Sequence, residues 1–213
     1  MRLVRPFLLG ALALLVAPPA ADAQIRASEP ATLMQTIDGT QFRIDYYRPR
    51  VRGRTPLFGG SEAVVWEPVW TPGANWATKM SFQKPIEFQG VPIEPGIYSL
   101  WVDMDENLMP KEFFFEPDTL IFHTMGPAED DDQIRFPVEL EDGYPFRELL
   151  TWDFEDISST GGVLSVRWGT HRMAFDIKVE PSMRVTSTPE EAAPILGEFE
   201  ARFMGPDGPQ GPT

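Results

Sequence analysis

The chain contains no cysteine. Disulfides, thiolate metal sites, thiol catalysis and a lipid-modified amino-terminal cysteine are all excluded on that count. Histidine is almost as scarce: His123 and His171 are the only two, and they lie in neither an HxH nor an HExxH spacing, so no metal site is expected from them. Basic residues are outnumbered, with 18 Lys and Arg against 32 Asp and Glu and a formal net charge of −14. Such a surface repels nucleic acid and anionic lipid, so neither is an expected partner. No G-x-S-x-G elbow marks a serine hydrolase. No amphipathic helix long enough for a crossover separates the strand-like segments, which argues against dinucleotide folds, and no cofactor is expected.

Long apolar runs are also missing, apart from one at the amino terminus. Arg2 and Arg5 precede an apolar stretch at 7–17, and the small-residue pattern Ala21-Asp22-Ala23 follows. This reads as a secretory signal peptide over 1–23, cleaved after Ala23. The stretch falls short of the roughly 20 residues of a spanning helix, and Pro18 and Pro19 close it. The expected mature protein is periplasmic or secreted, with no membrane insertion. Loss of Arg2, Arg5 and Asp22 leaves it one unit more acidic. The acidic surface itself reads as solvation rather than as a cation site.

What the sequence does have is short runs rich in Val, Ile, Phe, Tyr, Trp and Thr, separated by Gly, Pro, Asp and Asn. Period-two patterns occur at 41–47, 78–83, 97–104, 111–115, 120–124, 134–140 and 150–154. The clearest is 162–179. There Leu164, Val166 and Trp168 share one face, Gly169-Thr170 makes a tight turn, and Met173, Phe175, Ile177 and Val179 share one face of the returning strand. The fold class is therefore all-β, an antiparallel β-sandwich or jelly-roll-like domain over 32–180. Residues 24–31 read as an unpatterned lead-in. A linker and short helix occupy 181–204, with Thr188 as N-cap and Pro189 at the first helical position; Pro194 delays or kinks that helix. The Gly- and Pro-rich 205–213 reads as a disordered tail.

Two segments stand out as a candidate site. Arg48, Arg50, Arg52 and Arg54 alternate within an otherwise acidic chain. In an extended strand they would line one face and grip carboxylate or phosphate, although Pro49 and Gly53 interrupt the strand. The stretch 69–78, VWTPGANWAT, sets Trp70 and Trp76 on either side of a Pro-Gly turn carrying Asn75. The carboxamide can orient a ligand or close the turn itself. Each indole can stack on a sugar or fill a core. Glu129-Asp130-Asp131-Asp132 lacks the alternation and glycine of a calcium loop and reads as a solvated loop.

These same residues carry a resemblance. Asp45-Tyr46-Tyr47-Arg48-Pro49-Arg50-Val51-Arg52-Gly53-Arg54, then Leu57-Phe58-Gly59, then the 69–78 stretch and Pro95-Gly96-Ile97-Tyr98-Ser99-Leu100 appear in order. Together they resemble the bacterial family called domain of unknown function 2911, over 28–179. The family pattern is D-Y-x-R-P-x-V-K/R-G-R, F-G, V-W-R-T-G-A-N-x-A-T and x-G-x-Y-S-L. Arg48, Gly53, Arg54, Trp70, Gly73, Ala74, Asn75 and Thr78 fall on it, and Arg50 on a variable position. Thr71-Pro72 stands where the family has Arg-Thr, and the link 61–68 differs as well. The resemblance implies a secreted or periplasmic β-rich domain without an established activity.

Three functions fit this reading. The first is an exported binding module for a small anionic or carbohydrate ligand, using Arg48 and Arg54 as anion grips, Asn75 as orienter and Trp70 or Trp76 as apolar wall. The second is an exported hydrolase or isomerase with His123, Asp45 or Glu67 as acid or base. The third is a structural or interaction protein whose partner is an envelope protein.

Overall fold

The computed structural model describes residues 28–60, 68–182, 188–195, 203–205 and 208–210. The expected signal peptide and Glu67 lie outside the described residues. Among the described residues no helix is long and apolar enough to cross a membrane.

The domain is an antiparallel β-sandwich. Its strands are β1 (Glu29–Ile37), β2 (Thr40–Arg48), β3 (Val69–Trp70), β4 (Thr78–Phe82), β5 (Ile86–Phe88), β6 (Val91–Ile93), β7 (Gly96–Met104), β8 (Pro110–Glu116), β9 (Ile134–Pro137), β10 (Arg147–Ser158), β11 (Gly161–Gly169) and β12 (His171–Val179). One sheet runs β1-β2-β4-β7-β8-β9, with β3 also paired to β7; the other runs β10-β11-β12-β5-β6.

Period-two patterning builds the core between the sheets. Phe42, Ile44 and Tyr46 of β2 face Leu164, Val166 and Trp168 of β11 and Met173, Phe175 and Ile177 of β12 within one buried cluster. The β11–β12 hairpin closes at Trp168 opposite His171, and Gly169 supplies the positive φ of 62° that its two-residue turn needs at the first central position. A side chain there would also meet Leu57 at 2.6 Å.

Two strands do not alternate, and the reason is a second layer. Leu100, Trp101 and Val102, like Phe113, Phe114 and Phe115, are all buried. Trp101 and Phe114 point to the outer face, where Val69, Ala77 and Ile121 cover them. Of these, Ile121 comes from the loop after β8, and the expected strand at 120–124 is corrected to that loop, with one isolated bridge, Trp76 to Phe122. Its apolar residues serve as a lid, and Pro117 and Gly126-Pro127 break any longer ladder.

Short β5 and β6 were not expected from the pattern; their three-residue length and Pro92 on an edge strand hide the alternation. β1 already runs through 29–31, where the sequence suggests a lead-in.

Toward the carboxy terminus, Thr188 and Glu191 form a capping box on α1 (Pro189–Ala192), and a 3-10 turn follows at Ala193–Ile195. Pro194 lacks the N–H that would continue the α-helix, which explains the tightening. Within and beside the stretch read as an unordered tail, β13 (Phe203–Gly205) and β14 (Gly208–Gln210) pair antiparallel.

Candidate functional site

The 69–78 stretch is an excursion from a single strand track. Trp70 pairs with Val102 and Thr78 with Leu100, so residues 71–77 occupy the place of one residue opposite Trp101. The corner is stitched from inside. The Thr71 hydroxyl donates to the Leu100 carbonyl (2.9 Å) and accepts from the Thr78 N–H (2.9 Å). The Thr78 hydroxyl donates to the Pro72 carbonyl (2.9 Å), which also accepts from the Trp152 indole N–H of the opposite sheet (3.0 Å). Gly73 packs so closely that a Cβ would lie 2.5 Å from the Thr78 hydroxyl and 3.4 Å from the Tyr47 carbonyl. The arginine segment and the corner are therefore neighbours.

The arginines are engaged internally. Arg48 donates from Nε to the Leu150 carbonyl (3.0 Å) and from Nη2 to the Thr151 hydroxyl (2.7 Å), crossing from β2 to β10. Arg54 donates to the Val51 carbonyl (3.0 Å) and to the Arg50 carbonyl, with its guanidinium 5.5 Å from the centre of the Trp168 ring. Arg50 reaches Glu29 at 3.3 Å on the surface. The Arg52 main-chain N–H donates to Glu148. Trp70 is 5% exposed and belongs to the core, stacked on Trp168 with centroids 6.2 Å apart and 16° between the planes, with Phe58 edge-on to it.

Asn75 and Trp76 sit differently. Asn75 adopts a positive φ of 61°, and its amide reaches toward the Ser28 carbonyl at 3.4 Å. Its own carbonyl accepts from the His123 N–H (2.7 Å), while Ala77 N–H donates to the Ile121 carbonyl (3.0 Å). This two-bond clasp leaves Trp76 42% exposed, with Phe122 edge-on at 5.4 Å. One residue further, His123 lines a recess of about 80 Å³ together with Pro68, Val69, Thr124, Met125 and Gly126. Burial holds the His123 imidazole below its ordinary pKa range, so it is neutral at pH 7. Met125 and Leu120 are exposed apolar neighbours in the same loop. The structure thus gathers Asn75, Trp76 and His123 at the outer loop, while the side chains of the neighbouring Arg48, Arg54 and Trp70 are spent on main-chain carbonyls and the core.

Asp45 lies on the outer face of β2, held by the Arg43 guanidinium and the Thr32 hydroxyl. Among the described residues no group of three or more His, Asp and Glu could hold a metal ion. A further polar cluster escaped the sequence pattern: Arg172 bridges Glu141 and Glu155 at 2.8 Å each, Tyr144 donates to Glu141, and Ser165 donates to Glu155 (2.6 Å). Its members come from a loop and three strands, β10, β11 and β12, on the outer face of the sheet, so cross-strand register rather than local spacing relates them.

The family model described as "Protein of unknown function (DUF2911)" matches residues 28–177. No curated protein and no solved structure matches the chain.

Proposed function

The chain belongs to the DUF2911 family of proteins of unknown function, and from that premise we propose that it is an exported module binding a neutral, hydroxyl-rich ligand of the carbohydrate class. The single observation that carries this reading is Trp76, an indole 42% exposed on a turn that is clamped on both sides. A rigid exposed indole beside polar groups is the arrangement that stacks on a sugar face at low entropic cost. His123 and Thr124 line the adjoining recess and give it a polar rim suited to hydroxyl groups. The arginines that would select an anion are engaged with main-chain carbonyls, which favours the carbohydrate over the anionic ligand. The basis for export is the amino-terminal pattern of Arg2, Arg5 and the apolar run.

The test is a thermal-shift and tryptophan-fluorescence screen of neutral saccharides against anionic metabolites. The expected result is a saccharide response that Trp76→Ala abolishes while leaving the unliganded melting temperature nearly unchanged. A response confined to anions, or one indifferent to Trp76→Ala, sinks the reading.

A further inference from the structure

β1, β9, β10 and β6 stand at the ends of the two sheets, and three of them are blunted. β6 is three residues long and carries Pro92. β9 is four residues long and ends in Pro137. β10 breaks register twice against β11, and the chain at 49–51 pairs along its start. β1 differs. It runs nine residues against β2 without a register shift, carries no charge after Glu29, and among the described residues pairs with β2 alone. An edge this regular is a template for another strand.

The hairpin turn fixes which groups of β1 face outward. Asp38 and Gly39 have positive φ of 41° and 78°, the two-residue turn that makes Ile37 and Thr40 a hydrogen-bonded pair. Alternation then turns the main-chain groups of Gln35, Leu33 and Ala31 toward β2, and those of Thr36, Met34 and Thr32 toward the free edge. Two observations agree with this phase. The Gln35 amide donates to the Thr36 carbonyl (2.8 Å), a group the β2 ladder leaves unused, and Pro30, which has no N–H, falls on an outward position. The side chains of Thr32, Met34 and Thr36 are exposed, that of Met34 at 64%.

We propose that β1 is a homodimer interface, pairing antiparallel with β1 of a second copy of this chain about a two-fold axis through Met34. Centred there, Met34 exchanges both main-chain bonds with the partner's Met34, and Thr32 does so with the partner's Thr36, so the outward groups of all three residues are used. Other centres do worse. One on Thr32 sets Met34 against the partner's Pro30, which has no N–H to give, and one on Thr36 runs Met34 onto the partner's Asp38 in the turn. The two methionine side chains meet on the outer face with β-branched threonines paired on either side, contacts that suit a sheet. The acids that end the strand are held within their own subunit, Glu29 by Arg50 and Asp38 by Ser182. The strand is its own complement, which favours a second copy over an unrelated peptide.

The test is sedimentation equilibrium of the intact protein over a concentration series, read together with amide hydrogen exchange. The expected mass rises from one chain to two and stops there, and exchange of the Thr32, Met34 and Thr36 amides slows over the same concentrations. Salt should tighten the association by screening two acidic copies from each other. Met34→Lys sets two like charges opposite each other, and Thr32→Pro removes an outward N–H while leaving the β1–β2 ladder whole. Each should weaken association at least about tenfold, at a nearly unchanged monomer melting temperature. A mass of one chain throughout, a doubling with those amides unprotected, or a doubling indifferent to Met34→Lys overturns the proposal. So does a single chain whose Met34 amide is protected, which assigns the edge to a segment of the same polypeptide. No readout involves a saccharide, so the two ideas fail separately.

Discussion

Trp70 and Thr78 occupy consecutive inward places opposite β7, one facing Val102 and the other Leu100, although residues 71–77 separate them in the chain. The strand therefore continues through the excursion as if it were not there. What makes this possible is the pair of threonine hydroxyls inside the corner, each satisfying main-chain groups that the missing ladder would have paired.

Thr71→Val tests that account. The substitution keeps the shape but strands the Thr78 N–H in a site where Thr71 and Thr78 are both 0% exposed. A loss of about 1–3 kcal/mol is expected, read as a lower urea midpoint with an unchanged slope. Thr32→Val, which removes an exposed hydroxyl bonded to Asp45, should change stability by no more than about 0.5 kcal/mol.

The arginines should separate in the same way. Arg48→Lys loses the fork that reaches both Leu150 and Thr151 across the sheets, and a cost of about 1.5–3 kcal/mol is expected for bonds from a charged donor. Arg50→Lys touches only an ion pair with Glu29 on the surface, where about 0–1 kcal/mol is at stake. Chemical denaturation of both variants checks the contrast, and saccharide binding should survive in each.

Acid should reveal the Arg172 cluster. The Tyr144 hydroxyl, followed by the Arg172 guanidinium, holds Glu141 below its ordinary carboxylate pKa. Burial works against ionisation of Glu155, but the Ser165 hydroxyl and Arg172 outweigh it and lower that pKa too. Because both folded values are depressed, their stabilisation is complete above the unfolded value near about 4.3 and is lost as pH falls below it toward the folded values. The melting temperature should therefore drop steeply in that window, and less steeply in Arg172→Met, where the guanidinium's share of the depression is lost while the Tyr144 and Ser165 hydroxyls keep theirs.

Binding at the recess has its own pH signature. His123 is pushed below the ordinary imidazole value of about 6.5 by burial, so protonation disfavours both the folded state and a neutral-imidazole contact. Saccharide affinity should hold through that value and weaken only as pH falls further, through the depressed one. A titration by tryptophan fluorescence shows this directly, and His123→Gln should flatten the profile.

Sequence pattern made much of this molecule legible, and its gaps have physical causes. The 162–179 hairpin was readable because its inward residues, from Leu164 through Val179, are large and apolar while most of those between them are polar, even though Ser165 on the outward face is itself buried. The 120–124 segment misled because an apolar run that caps Trp101 and Phe114 from outside has the composition of a strand without its hydrogen bonding. The neighbourhood of the arginine segment and the corner followed from their shared motif content. Which side chains remain open did not, since whether Arg48 meets solvent or the Leu150 carbonyl depends on the approach of β10 from far along the chain. Phe122, which props Trp76, had no local signal for the same reason.

Beyond Arg48 the β2 chain pairs with β10, through the Arg50–Leu149 bridge and hydrogen bonds from Val51 to the Glu148 carbonyl and from Leu150 to the Pro49 carbonyl. One continuous piece of backbone thus belongs to both layers and acts as the spine of a book. Sliding one leaf past the other would have to tear main-chain bonds at that spine, so any separation of the leaves must start elsewhere, where only side chains interlock.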